Sequence, residues 1–99
     1  MKAVDNFTLE RWRSLDAARV LAALAAHAKL DAAYVPATSA LSTRWHATVG
    51  GQDFELLLTG PKFWDTRNAK GGGGAVDLVM HLERLSFKQA SARLVGLGL

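Results

Sequence analysis

The sequence predicts a small α+β domain: one helix, then a three-stranded antiparallel sheet, then two short helices. Three observations carry this prediction. Residues 14–30, SLDAARVLAALAAHAKL, have the composition and broad apolar arc of a helix packed on a sheet. TRWHATV and DFELLLT stand on either side of Gly50–Gly51, a hairpin turn signal. A run of four glycines then leads into an apolar segment of helical period.

Taken in order, residues 1–13 set Phe7, Leu9 and Trp12 among polar residues and predict a short arm or a single helical turn. Trp12 lies near the surface in this reading, between Arg11 and Arg13. Ser14 or Asp16 can cap the first helix, near 15–28, and Leu15, Ala18, Ala22 and Ala25 form one stripe beside Val20, Leu21, Leu24 and Ala28. The segment from Asp31 to Ser42 is ambiguous: Tyr34 and Val35 could begin a strand, but Pro36 limits it to an edge. In the first strand Trp45, Ala47 and Val49 face the core, with an exposed stacking platform the alternative for Trp45, and Arg44, His46 and Thr48 face away. Gly60–Pro61 ends the return strand, and KFWDTR reads as the third, so the predicted sheet covers 44–67. Ala75, Val76, Leu78, Val79 and Leu82 predict a helix of two to three turns directly after the glycines. Ser86 and Gln89 form a capping box that opens a last helix through about Val95. The whole chain is read as one domain, 1–99, with its core at about 14–95.

Composition sets the outer limits. At 99 residues the chain buries about 60–70% of its unfolded surface, enough to fold alone with a modest margin. Nearly half the residues (49%) are hydrophobic, which excludes a disordered chain. Without cysteine there are no disulfides and no thiolate zinc sites, as in a reducing cytoplasm. MKAVDNFTLERWRS has no apolar run between its charges, so it is not read as a signal peptide. The longest apolar window is interrupted by Arg19, His27 and Lys29 and is too short to span a membrane. A formal charge of +3 favours a polyanionic partner.

The glycines carry the functional question. A glycine-rich turn before a helix exposes backbone N–H groups at the positive end of the helix dipole, an arrangement that holds anions. Lys62, Arg67 and Lys70 precede Gly71, Gly72, Gly73 and Gly74, and Trp64 interrupts the basic residues. Phosphate contact plus base stacking needs this combination, with Arg44 adding charge from the neighbouring strand. The plainer alternative is a tight connection with Trp64 in the core and the basic residues solvated. GGGGAV lacks the Gly-Lys-Ser/Thr of a P-loop.

KFWDTRNAKGGGGAVDLVMHLERLSFKQASARL, residues 62–94, resembles the second half of the zinc-binding domain of bacterial DNA primases. Gly73, Gly74, Ala75, Val76, Met80, Leu85, Ser86, Phe87, Ala90 and Leu94 fall on that family's pattern of Gly-Gly turn, apolar helix and LSF-x-x-A-x-x-x-L. It looks closer still to cysteine-free versions at the front of replication and mobilisation proteins of plasmids, phages and integrative elements. The resemblance implies a zinc-ribbon-like but metal-free sheet, and an accessory domain or subunit of a primase rather than an enzyme. Thr66 and Ala69 lie about where two of the family's cysteines would fall, so zinc binding does not carry over.

Other chemistry is sparse. His27, His46 and His81 sit on separate elements without ligand-like spacing, and no metal or other cofactor is expected. Asp77 is expected to complement a helix N-terminus, Asp65 to pair with Arg67 or Lys70, and His81 to favour the dipole at its helix end. No nucleophile–base arrangement appears, so catalysis is not expected. The sequence thus predicts a cytoplasmic nucleic-acid-binding module of a replication or mobile-element system, most suited to single-stranded DNA. Its predicted site is Arg44, Lys62, Trp64, Arg67, Lys70 and Gly71–Gly74. The competing reading is a protein-interaction module that docks a polymerase, helicase or primase.

Overall fold

The computed structural model describes residues 4–36 and 40–99; residues 1–3 of the predicted arm and residues 37–39 lie outside the described residues. Two helices come first, α1 (Asn6–Ser14) and α2 (Ala17–Leu24). Five strands follow: β1 (His27–Leu30), β2 (Thr43–Val49), β3 (Gln52–Thr59), β4 (Lys62–Asp65) and β5 (Lys70–Gly73). Helices α3 (Ala75–Glu83) and α4 (Phe87–Gly96) complete the order. The strands form one antiparallel sheet in sequential order, β1-β2-β3-β4-β5. The fold remains α+β, but the expected three strands with one helix before and two after are corrected to five strands and four helices among the described residues.

Each departure has a local cause. The predicted arm is a nine-residue helix, because Asp5 caps it by accepting a hydrogen bond from the Thr8 amide at 2.8 Å. The long helix expected over 15–28 stops at Leu24, where Ala25 turns extended (φ −75°, ψ 139°). Residues 27–30 leave it to pair with β2, His27 opposite Thr48 and Leu30 opposite Trp45. Alanine-rich sequence favours a helix locally, but pairing with a free sheet edge overrides that preference here. Tyr34 and Val35 form no strand.

Alternation does the rest. On β2, β3 and β4 the buried residues Ala47, Val49, Phe54, Leu56, Leu58, Phe63 and Asp65 all point to one face, which the helices cover. Val20, Leu21 and Leu24 of α2, and Leu78, Val79 and Leu82 of α3, complete the core with Ala90 and Leu94 of α4. Trp12, expected near the surface, is 1% exposed, because α1 packs on α3. Trp45 is only half-buried, and its indole donates to Thr43 Oγ1 at 3.0 Å. The predicted capping box is present: the Gln89 amide donates to Ser86 Oγ and the Ser86 amide to Gln89 Oε1.

The glycines form a packed edge strand and not a flexible turn. A Cβ on Gly71 would stand 2.8 Å from both Phe63 O and Trp64 Cε3, and one on Gly72 would stand 2.9 Å from the Phe63 ring. At Gly74 (φ 98°) the backbone of Trp12 and Arg13 comes close, so α1 rests on the entry to α3. Both faces of β4 therefore lean on β5 where it has no side chains.

A stability test follows from these distances. Gly71→Ala should destabilise the fold by about 1–3 kcal/mol through overpacking. Gly73→Ala should stay within about 0.5 kcal/mol, since a Cβ there meets only Lys62 Cγ at 3.8 Å. Urea denaturation of the two variants measures both.

Candidate functional site

Strand β4 presents a different chemistry on each face. Lys62 and Trp64 point to the uncovered outer face, Phe63 and Asp65 to the helices. On the outer face one cross-strand row runs Arg44–Leu57–Trp64–Gly71. The Trp64 ring lies across Gly71 and is 46% exposed, so it is a platform and not a core residue. Lys62, opposite Thr59 and Gly73, is exposed and in no ion pair among the described residues.

The remaining predicted residues separate. Arg44 is engaged: its Nη2 and Nε reach Asp31 Oδ2 at 2.6 and 2.9 Å, its Nη1 lies 3.6 Å from Glu55, and it stacks 5.1 Å over the Tyr34 ring. The hydrogen bonds from Arg44, then those from His46 and the Ala33 amide, lower the Asp31 carboxyl to a pKa of about 2. Arg44 thus anchors the loop after β1 to the sheet. Arg67 lies in the turn after β4, exposed, with Nη1 3.4 Å from Asp53 O. Lys70 pairs with Asp65 and so falls on the helix-facing side, away from Trp64. Gly72 shares that side, and Gly74 is buried.

Two of the four glycine amides are directed to partners within the chain. Gly74 N–H donates to Pro61 O at 2.9 Å, and Gly73 N–H points to Asp77 Oδ2 at 3.4 Å. Asp77 does complement the start of α3, but its carboxylate stands where an external anion would approach. The outer face therefore collects Arg44, Lys62, Trp64, Gly71 and Gly73, with Arg67 at its rim, while Lys70, Gly72 and Gly74 are turned elsewhere.

The sequence reading missed the most tightly built polar contact. Asp65 is fully buried and accepts four hydrogen bonds: from the Arg67 amide (3.0 Å), the Asn68 amide (3.1 Å), Asn68 Nδ2 (2.7 Å) and His81 Nε2 (2.7 Å). The His81 ring stacks on Phe63, centroids 5.4 Å apart, and meets Phe54 edge-on at 6.2 Å. Asp65 thus takes the Arg67 backbone, not its side chain, and His81, in the last turn of α3 as expected, also reaches the acid. The signal was present: alternation in KFWD places Asp65 beside Phe63, and an inward acid requires a donor from the helix above it.

Burial, the largest influence on Asp65, raises its pKa, but the hydrogen bonds from Asn68 and His81 outweigh it and the net shift is downward. A carboxyl lowered on folding adds stability above its unfolded pKa, near 3.8, and that stability is lost as pH falls through the lower folded value. Among the described residues no three His, Cys, Asp or Glu side chains converge to hold a metal ion. No helix among them is long and apolar enough to cross a membrane. Comparison of the chain with protein-family models, with curated proteins and with solved structures finds no match.

Asp65→Asn should lower stability at neutral pH by about 1–3 kcal/mol, because it exchanges a charge-assisted acceptor for a neutral amide among fixed donors. It should also flatten the acid limb of the stability curve below about pH 4. Urea midpoints from pH 2 to 7 for both proteins measure the two effects.

Proposed function

We propose that the chain is a nucleic-acid-binding module that holds single-stranded DNA on the uncovered face of its sheet. One observation carries the reading: a half-exposed tryptophan, Trp64, packs over Gly71 of the edge strand, with Lys62 on the same face and Arg67 in the turn that follows. A base stacks on such a ring whatever its sequence, and the cations meet the backbone on either side. Strong sequence preference is not expected. The module serves a replication or mobile-element system in the cytoplasm, as an accessory to a primase and without catalysis of its own.

A second reading has its own support. Asp53 and Glu55 stand on the same face, and Thr48 Oγ1 donates to Asp53 at 2.7 Å, so part of the surface repels phosphate. A protein-interaction module that docks a polymerase, helicase or primase partner fits that mixture better.

Fluorescence anisotropy with short single-stranded oligonucleotides at two salt concentrations tests the choice. Trp64→Ala should weaken binding by about 1–3 kcal/mol while the domain stays folded, because the ring is not in the core. Reversal of Lys62 and Arg67 to Glu should weaken all sequences alike and reduce the salt slope by roughly one unit for each phosphate no longer neutralised. Unchanged affinity in these folded variants would favour the protein-interaction module.

A further inference from the structure

We propose that the groove between α3 and the β4–β5 end of the sheet, on the side opposite Trp64, binds a phosphate group. This site stands apart from the outer face and does not depend on it. Two adjoining cavities of about 420 and 320 Å³ share four lining residues: Lys70, Met80, His81 and Arg84. Phe63 adds an apolar wall to the larger one, and Gln52 adds a polar rim to the smaller.

Charge at the mouth is positive and uncommitted. Lys70 and Arg84 are both exposed, and neither side chain forms a hydrogen bond or ion pair among the described residues. The two nearby carboxylates are occupied: Asp65 holds four donors beneath the groove, and Asp77 faces Gly73 N–H. His81 is braced between Asp65 and the Phe63 ring, so the floor is rigid.

Backbone conformation points to the same place. Among the described residues only Ala69 (φ 50°) and Arg84 (φ 54°) are non-glycine residues in the left-handed region. Ala69 directly precedes Lys70. Arg84 ends α3 at the position where helices favour glycine or asparagine. Strain of this kind collects where a side chain is needed for function, and here both strained positions deliver a cation to one groove. A guanidinium fork with an ammonium beside it suits the oxygens of a phosphate. The larger cavity lies within the range of small-ligand sites, so the phosphate comes with an attached group that rests on Met80 and His81.

A nucleotide and a nucleic-acid strand are both sources of that group, and amide-resolved NMR titrations distinguish them. The probes are adenosine 5′-monophosphate, adenosine, and a short single-stranded oligonucleotide. Saturable shifts at Lys70, His81 and Arg84 with the monophosphate but not with adenosine are the expected result. The same shifts with the oligonucleotide alone also support the site and assign it to a strand. Lys70→Gln and Arg84→Gly should each weaken binding at least about tenfold, the loss of one charge-assisted contact. Arg84→Gly should also melt a few degrees higher, because glycine adopts φ 54° without strain. Trp64→Ala should leave monophosphate binding unchanged, which separates this site from the outer-face reading. The proposal is overturned if neither phosphate probe shifts these amides, if adenosine shifts them equally, if the combined Lys70→Gln and Arg84→Gly variant binds as tightly as the unchanged chain, or if Trp64→Ala abolishes monophosphate binding.

Discussion

The carboxylate of Asp65 ties the narrow end of the sheet to the helix that covers it. Burial of an ionised acid costs several kcal/mol unless its oxygens are fully hydrogen-bonded, and here the donors come from two directions. The Arg67 and Asn68 amides close the turn that leads from β4 into β5, and His81 reaches down from α3. Without that acceptor the turn would lose its internal bonds and the imidazole would be left against two phenylalanine rings. The turn into β5 and the lower end of α3 are thus joined through this one side chain.

A second constraint acts through absence of side chains. Trp64 and Phe63 are large and point to opposite faces, yet each has room because β5 presents Gly71 and Gly72 to them. Glycine is a poor strand former when nothing packs on it. Two aromatic rings pack on this one, which offsets the entropy of ordering it. The same arrangement leaves the tryptophan fixed and half uncovered, and a base-stacking surface requires both.

The sequence was legible where local signals and tertiary structure agree. The β2–β3 hairpin, the start of α3 after Gly74 and the Ser86–Gln89 cap all follow from spacing and turn residues. Residues 27–30 were misread because alanine and leucine dominate the segment before them, although His27 and Lys29 alternate with Ala28 and Leu30 as a strand requires. The four glycines were misread because glycine signals freedom unless a neighbour's bulk is known to need the space. Of the candidate site, the outward direction of Trp64 and Lys62 followed from period-two alternation. The diversion of Lys70 to the other face did not, since it depends on β5 existing as a strand. The occupation of Arg44 by Asp31 did not either, because that contact joins residues 13 apart in sequence, beyond the reach of local pattern.

The fit of Trp64 over Gly71 also limits how this sequence can change over time. With the ring carbon and the Phe63 carbonyl both 2.8 Å from where a Cβ would stand, any side chain at 71 needs a smaller residue at 64 or a shifted strand. A smaller residue at 64 alone would leave β5 bare on that face. Position 64 is therefore open to smaller residues, whereas position 71 is held by the ring and the Phe63 backbone together. In a lineage that kept the aromatic ring, the glycine should persist with it, whatever happens to the charges around them.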